Sequence, residues 1–569
     1  MLIGNLHMSS MNTSHSPTPS SRRSVSLGAL SALAAFAVGS ASAATFYWDP
    51  SGTGTYTGNG TWDTTTAEWQ TAGTGGGTPT TWDSANTAGF VRGTSGTVTV
   101  DGAGVTASAI SVGPSLAGTT GAANYTFQTG PLTLSSTSTA ISVANGSSAT
   151  FNNALNFSGG FQKIVIQSGA SSISIAGGIQ NTSAGADTLI LSSYSAAGGI
   201  DISGALTKSG ASNVINLVVG ESAGGSSAAS TFKLGGNNTG ITSSSTLRVE
   251  RGILVLNNSG ALGAATSLSL GGNSAGSADS QQLLIGTSGV SIGTSITLNS
   301  TDTTDTRTIG SSVTSGTATF SGTLTMAGSG VSVTSAAGGT TVFSNLVTDG
   351  SESRALTKIG AGIVSLTRAA GNTYDGGTTV SAGTLLVSNS SGSGTGTGVV
   401  SVTAGTFGGT GQVSGAVTIG DGAGGSDAFI TAGYNSIGTF TTSNSLSLNS
   451  DATFSFELNS STATADKLVA NGVVLNASSV FSFSDLGASV LTLGTAFTII
   501  DNTSASAISG AFSNLAEGQT FTAGSNQFEA TYLGGTGNDL VLTVVPEPSS
   551  AILLSFGLCA VIFLRRRVG

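Results

Sequence analysis

Histidine and cysteine, the side chains that carry most nucleophilic and metal chemistry near neutral pH, are nearly missing from this sequence. The only histidines are His7 and His15, and the only cysteine is Cys559. Residues 44–545 hold neither. That span therefore has no Ser-His-Asp triad, no cysteine nucleophile, no His or Cys zinc ligands and no disulfide. Asp, Glu, Lys, Arg, Tyr and hydroxyls remain, and these suffice in principle for glycoside chemistry on paired carboxylates. No such pair stands out. Asp302 and Asp305 lie in a Thr-rich stretch that reads as an exposed turn, and Glu457 alternates outward beside Phe454 and Phe456. No catalytic residue, cofactor or metal is expected.

The four tryptophans fall together near the amino end, in Tyr47-Trp48-Asp49, Thr61-Trp62-Asp63, Glu68-Trp69 and Thr81-Trp82-Asp83. One reading is a platform for sugar rings, with Trp62 and Trp82 as the glycan contacts. The other is that the bulky rings plug one end of the fold and block edge pairing. Three glycine-rich stretches invite ligand readings. Gly420-Asp421-Gly422-Ala423-Gly424-Gly425 matches a dinucleotide fingerprint in spelling, but no helix pattern follows it. Gly394-Thr395-Gly396-Thr397-Gly398 lacks the lysine of a phosphate loop. Gly534 to Leu542 fits the calcium-binding nonapeptide once, where tandem copies are needed to share an ion.

The elements that would position these residues are strands. Thr97-Val98-Thr99-Val100, Ser172-Ile173-Ser174-Ile175 and Leu446-Ser447-Leu448 alternate with a period of two. Helix-period stripes are confined to the two termini. Between Pro131 and Pro546 there is no proline, as continuous strand pairing requires. Charge is sparse and acidic: of 16 basic and 26 acidic residues, 11 and 25 fall within 44–545, a net charge of −14. No basic patch points to nucleic acid. Short units recur, as Leu356-Thr357-Lys358-Ile359-Gly360, Gly371-Asn372-Thr373-Tyr374, Gly376 to Val380 and Ala382 to Val387. A worn copy begins Leu206-Thr207-Lys208 and resumes at Gly236-Asn237-Asn238. The predicted fold class is all-β, a right-handed parallel β-helix whose interior is aliphatic, flanked by a short signal helix and a C-terminal apolar helix. At roughly 20 residues per turn and about 4.8 Å rise, it reaches at most about 25 turns and roughly 120 Å.

The termini read as export signals. Arg22-Arg23 precedes the small-residue apolar run Val25 to Val38, and Ala41-Ser42-Ala43 is an A-x-A-type cleavage site that leaves Ala44 as the first mature residue. At the other end, Pro546-Glu547-Pro548 forms a stiff hinge. The 14 residues Ala551 to Leu564 carry no charge, and Arg565-Arg566-Arg567 follows. That run spans roughly 21 Å as a helix, short of the roughly 30 Å hydrocarbon core. The triplet, the apolar run and the arginines, in that order, resemble the PEP-CTERM sorting tail. The amino-terminal signal implies entry through the general secretion machinery, and the tail's resemblance implies transient inner-membrane insertion, cleavage by an exosortase and release to the surface of a Gram-negative bacterium alongside exopolysaccharide.

The repeated units resemble the autotransporter-associated β-strand repeat, strongly from Leu356 to Val545 and patchily upstream, taking in Ser436-Ile437-Gly438-Thr439, Phe456-Glu457-Leu458-Asn459 and Asp466-Lys467-Leu468-Val469. Proteins with that repeat are similar to autotransporter passengers, which are right-handed parallel β-helices. They end in an outer-membrane barrel, whereas this chain ends in the sorting tail. The expected organisation is a signal peptide over 1–43, a Trp-containing cap over 44–100, degenerate solenoid over 101–352, the repeat region over 353–445, a C-terminal β region over 446–545 and the tail over 546–569. The expected role is structural or adhesive, at the surface or in the matrix, without catalysis. Carbohydrate-binding adhesin and β-helix polysaccharide lyase or glycosidase are the alternatives.

Overall fold

Alternation becomes strand here because every second side chain can be buried. In Ser172–Ile175 and Leu446–Leu448 the Ile and Leu are buried, while the serines face outward. The computed structural model describes residues 43–547 apart from positions 55, 57, 72–77, 117–118, 222–225, 272–279 and 300–305. Among the described residues there are 52 strands and no helix. The expected signal and tail helices lie outside them.

The strands form a parallel β-solenoid with three faces. Face two is the longest, seventeen strands in unbroken parallel order from Gly60–Trp62 to Val473–Leu475. Face one runs from Thr45–Trp48 to Val347–Thr348 and resumes at Gln412–Val413. Face three runs from Val105–Ala107 to Leu206–Lys208 and resumes at Ser291–Ile292. At about 4.8 Å per rung, the seventeen strands stack over roughly 77 Å. This lies below the upper bound set by the sequence, because a turn takes more chain than 20 residues: Thr150 pairs with Ser174, and Gly199 with Thr231.

Register places like over like inside. Val98, Phe127, Phe151, Ile175, Ile202, Leu234, Leu256 and Ile285 form one inward column of face two. All are buried, and Phe127 stacks on Phe151 at 4.7 Å. Each such residue buried stabilises by about 1.5–3 kcal/mol before conformational entropy is counted.

Faces one and three each lose their strand for two rungs, and an asparagine side chain carries the ladder across each gap. On face three, the Leu206 N–H donates to Asn238 Oδ1 at 2.8 Å, and Asn238 Nδ2 donates to the Ala261 carbonyl at 2.7 Å. On face one, the Val347 N–H donates to Asn372 Oδ1 at 2.9 Å, and Asn372 Nδ2 donates to the Gly394 carbonyl at 2.7 Å. A carboxamide has the same acceptor and donor as a peptide unit, so it can stand between two rungs as a strand residue would. These are the Gly-Asn sites of the two sequence copies, but the copies are out of phase. Leu206–Lys208 lies on face three and Leu356–Ile359 on face two. A short strand ending at a glycine corner fits any face, so the motif does not specify which.

Lys358 is buried, and its Nζ donates to the carbonyls of Ile359, Gly360 and Ala382 at 2.7–2.9 Å. Burial pushes its ammonium down to about 8. Gly383, at φ +65°, leaves the room; a Cβ there would sit 2.7 Å from Nζ.

The two ends are closed by aromatic clusters and antiparallel strands. Trp69–Gln70 pairs antiparallel with Thr45–Trp48 and covers the edge of face one. Trp69 of that strand packs with Trp48, Trp62 and Trp82 in one cluster, with ring centroids 4.5–5.1 Å apart. At the carboxyl end, Ala496–Asn502, Asp539–Val545, Asn526–Gly534 and Thr520–Ala523 pair antiparallel in that order.

Two substitutions test this account by denaturant unfolding. Asn372→Ala leaves the Val347 N–H and the Gly394 carbonyl without partners, and is expected to cost about 1–3 kcal/mol; an unchanged midpoint would mean that water replaces the amide. Trp69→Ala empties the centre of the amino-end cluster, with an expected loss of about 3–5 kcal/mol.

Candidate functional site

A flat sheet face offers no concavity, so a site on a solenoid needs a segment that rises from the surface. On face three, Gly405–Gly409, Ala428–Ala432 and Ala452–Asn459 are adjacent and parallel. Beyond Ala432 the chain folds back tightly, with Gly433 bridged to both Gly409 and Ile437. Gly433 has φ +113°, and a Cβ there would meet the Ser436 carbonyl at 2.0 Å, so glycine is required. Asn435 takes φ +54°, a left-handed conformation that Asn tolerates. The result is a groove of about 270 Å³. Tyr434 and Asn435 line it from the loop, Phe429 and Thr431 from the central strand, Thr406 from one neighbouring strand, and Ser455 and Glu457 from the other.

Asp466 builds this site from beneath. It is fully buried. The Gly438 N–H donates to its Oδ1 at 2.9 Å and the Glu457 N–H to its Oδ2 at 3.0 Å, while its own N–H donates to the Glu457 carbonyl at 2.8 Å. One carboxylate thus ties the base of the Tyr434 loop to the Glu457 backbone. Burial raises its carboxyl to about 7 against the effect of those two N–H groups, and the neighbouring Glu457 adds to the rise. The Glu457 side chain is half-buried, and its Oε2 is a buried acceptor without a hydrogen-bond partner. The groove lining contains no Lys or Arg.

This arrangement can stack an apolar ring face and accept hydrogen bonds. It is poorly suited to cleaving a glycosidic bond. That reaction divides acid and nucleophile or base between two carboxyl groups that both reach the sugar, and both oxygens of Asp466 are occupied by backbone N–H groups under the sheet. A larger groove of about 420 Å³ lies on face two, between the Ala196–Gly198 turn and Ser174, Asp201, Thr231 and Lys233. It has no aromatic wall.

Residues 356–387 match the family model described as Passenger-associated-transport-repeat. The matched segment contains Lys358 and Asn372, and it ends at Val387 where the sequence resemblance extends to Val545. The crystal structure of the Haemophilus influenzae Hap adhesin aligns over 82% of this chain and 65% of its own, with 13% identity and a TM-score of 0.25. The chain thus spans just under two thirds of that structure. No curated protein matches the chain.

The tryptophans are not at a sugar-binding surface. Trp62 is 0% and Trp82 4% exposed, and their rings meet at 5.0 Å, close to perpendicular. Neither presents a free face, so the expected glycan contact at these two residues does not survive; their own packing takes the surface a sugar would need. The glycine stretch at Gly420 holds an anion, but an internal one: the Asp421 and Gly422 N–H groups donate to the Asp451 carboxylate at 3.0 and 2.8 Å. Gly534 to Leu542 is the hairpin between two antiparallel strands, with Asp539 accepting from the Asn502 N–H at 2.9 Å. It is not a stacked parallel turn. Ala43 and Ala44 are exposed just before the first strand, and Pro546 and Glu547 are exposed just after the last. Ala41, Pro548, Arg565, Arg566, Arg567, Asp302 and Asp305 lie outside the described residues.

Tyr434, Phe429 and Asp466 escape a reading of the sequence as site residues. The repeat-like stretches around Gly438 and Asp466 are visible in it, but nothing in them says that residues 28 positions apart share a hydrogen bond beneath a groove.

Asp466 makes a pH-dependent contribution with a definite sign. Its folded value, about 7, lies above its ordinary value of 3.8, so between the two the folded state binds more protons. The contribution is full below about 4 and is lost as pH rises through about 7. The stability difference between wild type and Asp466→Asn, followed by thermal melts, should therefore change across pH 4–7 and flatten above about 8. A difference that stays flat from 4 to 7 would contradict the assignment.

Proposed function

We propose that this protein is an exported structural and adhesive β-solenoid of the cell surface or extracellular matrix, without catalytic activity. In this reading the general secretion machinery exports it, the apolar run Ala551 to Leu564 inserts transiently in the inner membrane, and an exosortase cleaves near Pro546-Glu547-Pro548. Extracellular polysaccharide is the partner expected at its destination. The observation that carries the reading is the unbroken seventeen-strand face, a long rigid element with little chemistry on its outer side. Thr308, Ser332, Thr357, Thr379, Ser401, Thr418 and Ser447 follow one another in register along it, each half-exposed and uncharged. The match to a passenger repeat supports the same reading, as does the exposure of Pro546 and Glu547 directly after the last strand, where a membrane-bound protease would need to reach the chain. Among the described residues no helix is long and apolar enough to cross a membrane; the tail lies outside them.

A carbohydrate-binding role is the second reading, favoured by the groove at Tyr434. A lyase or glycosidase is disfavoured by the enclosure of Asp466.

Replacing Pro546, Glu547 and Pro548 with alanine should leave full-length protein in the inner-membrane fraction, whereas the wild-type surface form should end close to residue 547 when its C-terminus is sequenced. Recovery of Arg565 to Gly569 in the wild-type surface form would overturn the processing step.

A further inference from the structure

We propose that the groove of face three binds one neutral pyranose unit of a polysaccharide, stacked between Tyr434 and Phe429 and donating a hydroxyl to Glu457. The inference rests on the surface placement above only for access to such a chain; the binding is a property of the folded protein itself.

Four observations converge on it. Tyr434 and Phe429 both line the groove and are each half-exposed, and the apolar C–H face of a sugar ring packs well on an exposed aromatic ring. The Glu457 carboxylate lies half-buried in the lining and offers only acceptors, so a ligand that fits beside it must bring donors. Sugar hydroxyls are such donors, and the Thr406, Thr431 and Ser455 hydroxyls can donate or accept as the sugar requires. The volume, about 270 Å³, lies below the roughly 300 Å³ at which pockets for drug-sized ligands begin, and suits one ring in a longer chain that continues into solvent.

Charge selects among sugars. Glu457 lies at the groove, Asp466 lies beneath it, and no lining residue is basic. The next lysine along the chain, Lys467, is engaged by Asp501 at 2.9 Å. A uronate or sulfated sugar would bring a second negative charge next to Glu457 with no cation to meet it, so the site should exclude acidic polymers. An extended peptide is not the fitting occupant: the strands beside the groove are paired on both sides, so no sheet edge is free for an added strand.

The test uses the purified full-length chain in a sugar-free detergent, titrated calorimetrically with neutral gluco-, manno- and galacto-oligosaccharides and with oligogalacturonate. At least one neutral oligosaccharide should bind. Tyr434→Ala and Glu457→Gln should each weaken it about tenfold or more, Thr418→Ala on face two should leave it unchanged, and oligogalacturonate should bind at least tenfold more weakly. Melting curves separate lost binding from lost folding, and if Glu457→Gln does not fold, Asn435→Ala on the exposed loop takes its place. No binding of any neutral oligosaccharide, equal binding of the uronate, or binding that survives Tyr434→Ala would overturn the proposal. Correct C-terminal processing without sugar binding would sink the groove assignment alone, and sugar binding by a protein that keeps Arg565 to Gly569 at the surface would sink the processing step alone.

Discussion

Backbone pairing between successive rungs is the constraint on which this structure depends. In a parallel solenoid each strand must offer N–H and carbonyl groups to the rung before and the rung after, and a missed rung leaves buried polar groups on both sides. The chain holds this ladder across seventeen strands of face two. On the other faces, Asn238 and Asn372 supply a side-chain amide where a strand is missing. Lys358 answers the same demand at a corner, where three carbonyls converge. At each end the stack must stop without exposing an edge, and antiparallel strands over aromatic clusters do this.

The groove is a local exception to that regularity. The three strands beneath it keep their register, and the concavity comes from the five residues Gly433 to Ile437, which fold against the sheet through Gly433. Such a loop needs an anchor, because its own hydrogen bonds are few. Asp466 provides one from the following rung, and the same carboxylate holds the Glu457 backbone. The price is a buried charge, visible in the raised Asp466 carboxyl. Stability and groove geometry are therefore coupled through one buried carboxyl group.

Sparse charge shapes the rest of the molecule. Outward columns of Ser and Thr keep the surface wet without ion pairs, and much of the acidic complement is used on backbone N–H groups. Asp451 fills the Gly420 loop, Asp49 accepts from the Gly54 N–H and the Gln70 amide, and Asp539 accepts from the Asn502 N–H. This explains why a fingerprint-like glycine stretch has no call for a phosphate. Lys163 forms an ion pair with Glu221 and also donates to the Tyr194 hydroxyl.

By itself the sequence determined the class of fold and much of the chemistry. Period-two alternation, a proline-free interior and Gly-Asn corners require paired strands, and confinement of His and Cys to the ends removes whole families of mechanism. These properties are local or compositional, so they can be read without knowing which residues meet. Tertiary structure alone decided the rest. Trp62 and Trp82 became core because four rings converge, three from separate strands and Trp82 from the segment before Thr87–Phe90. The Leu206 and Leu356 copies fell on different faces because a short strand with a glycine corner fits any of them. Tyr434, Glu457 and Asp466 became a site because rungs about 28 residues apart lie one strand spacing apart in the stack, and a solenoid's turn length, set by how each corner closes, is not encoded in any single turn.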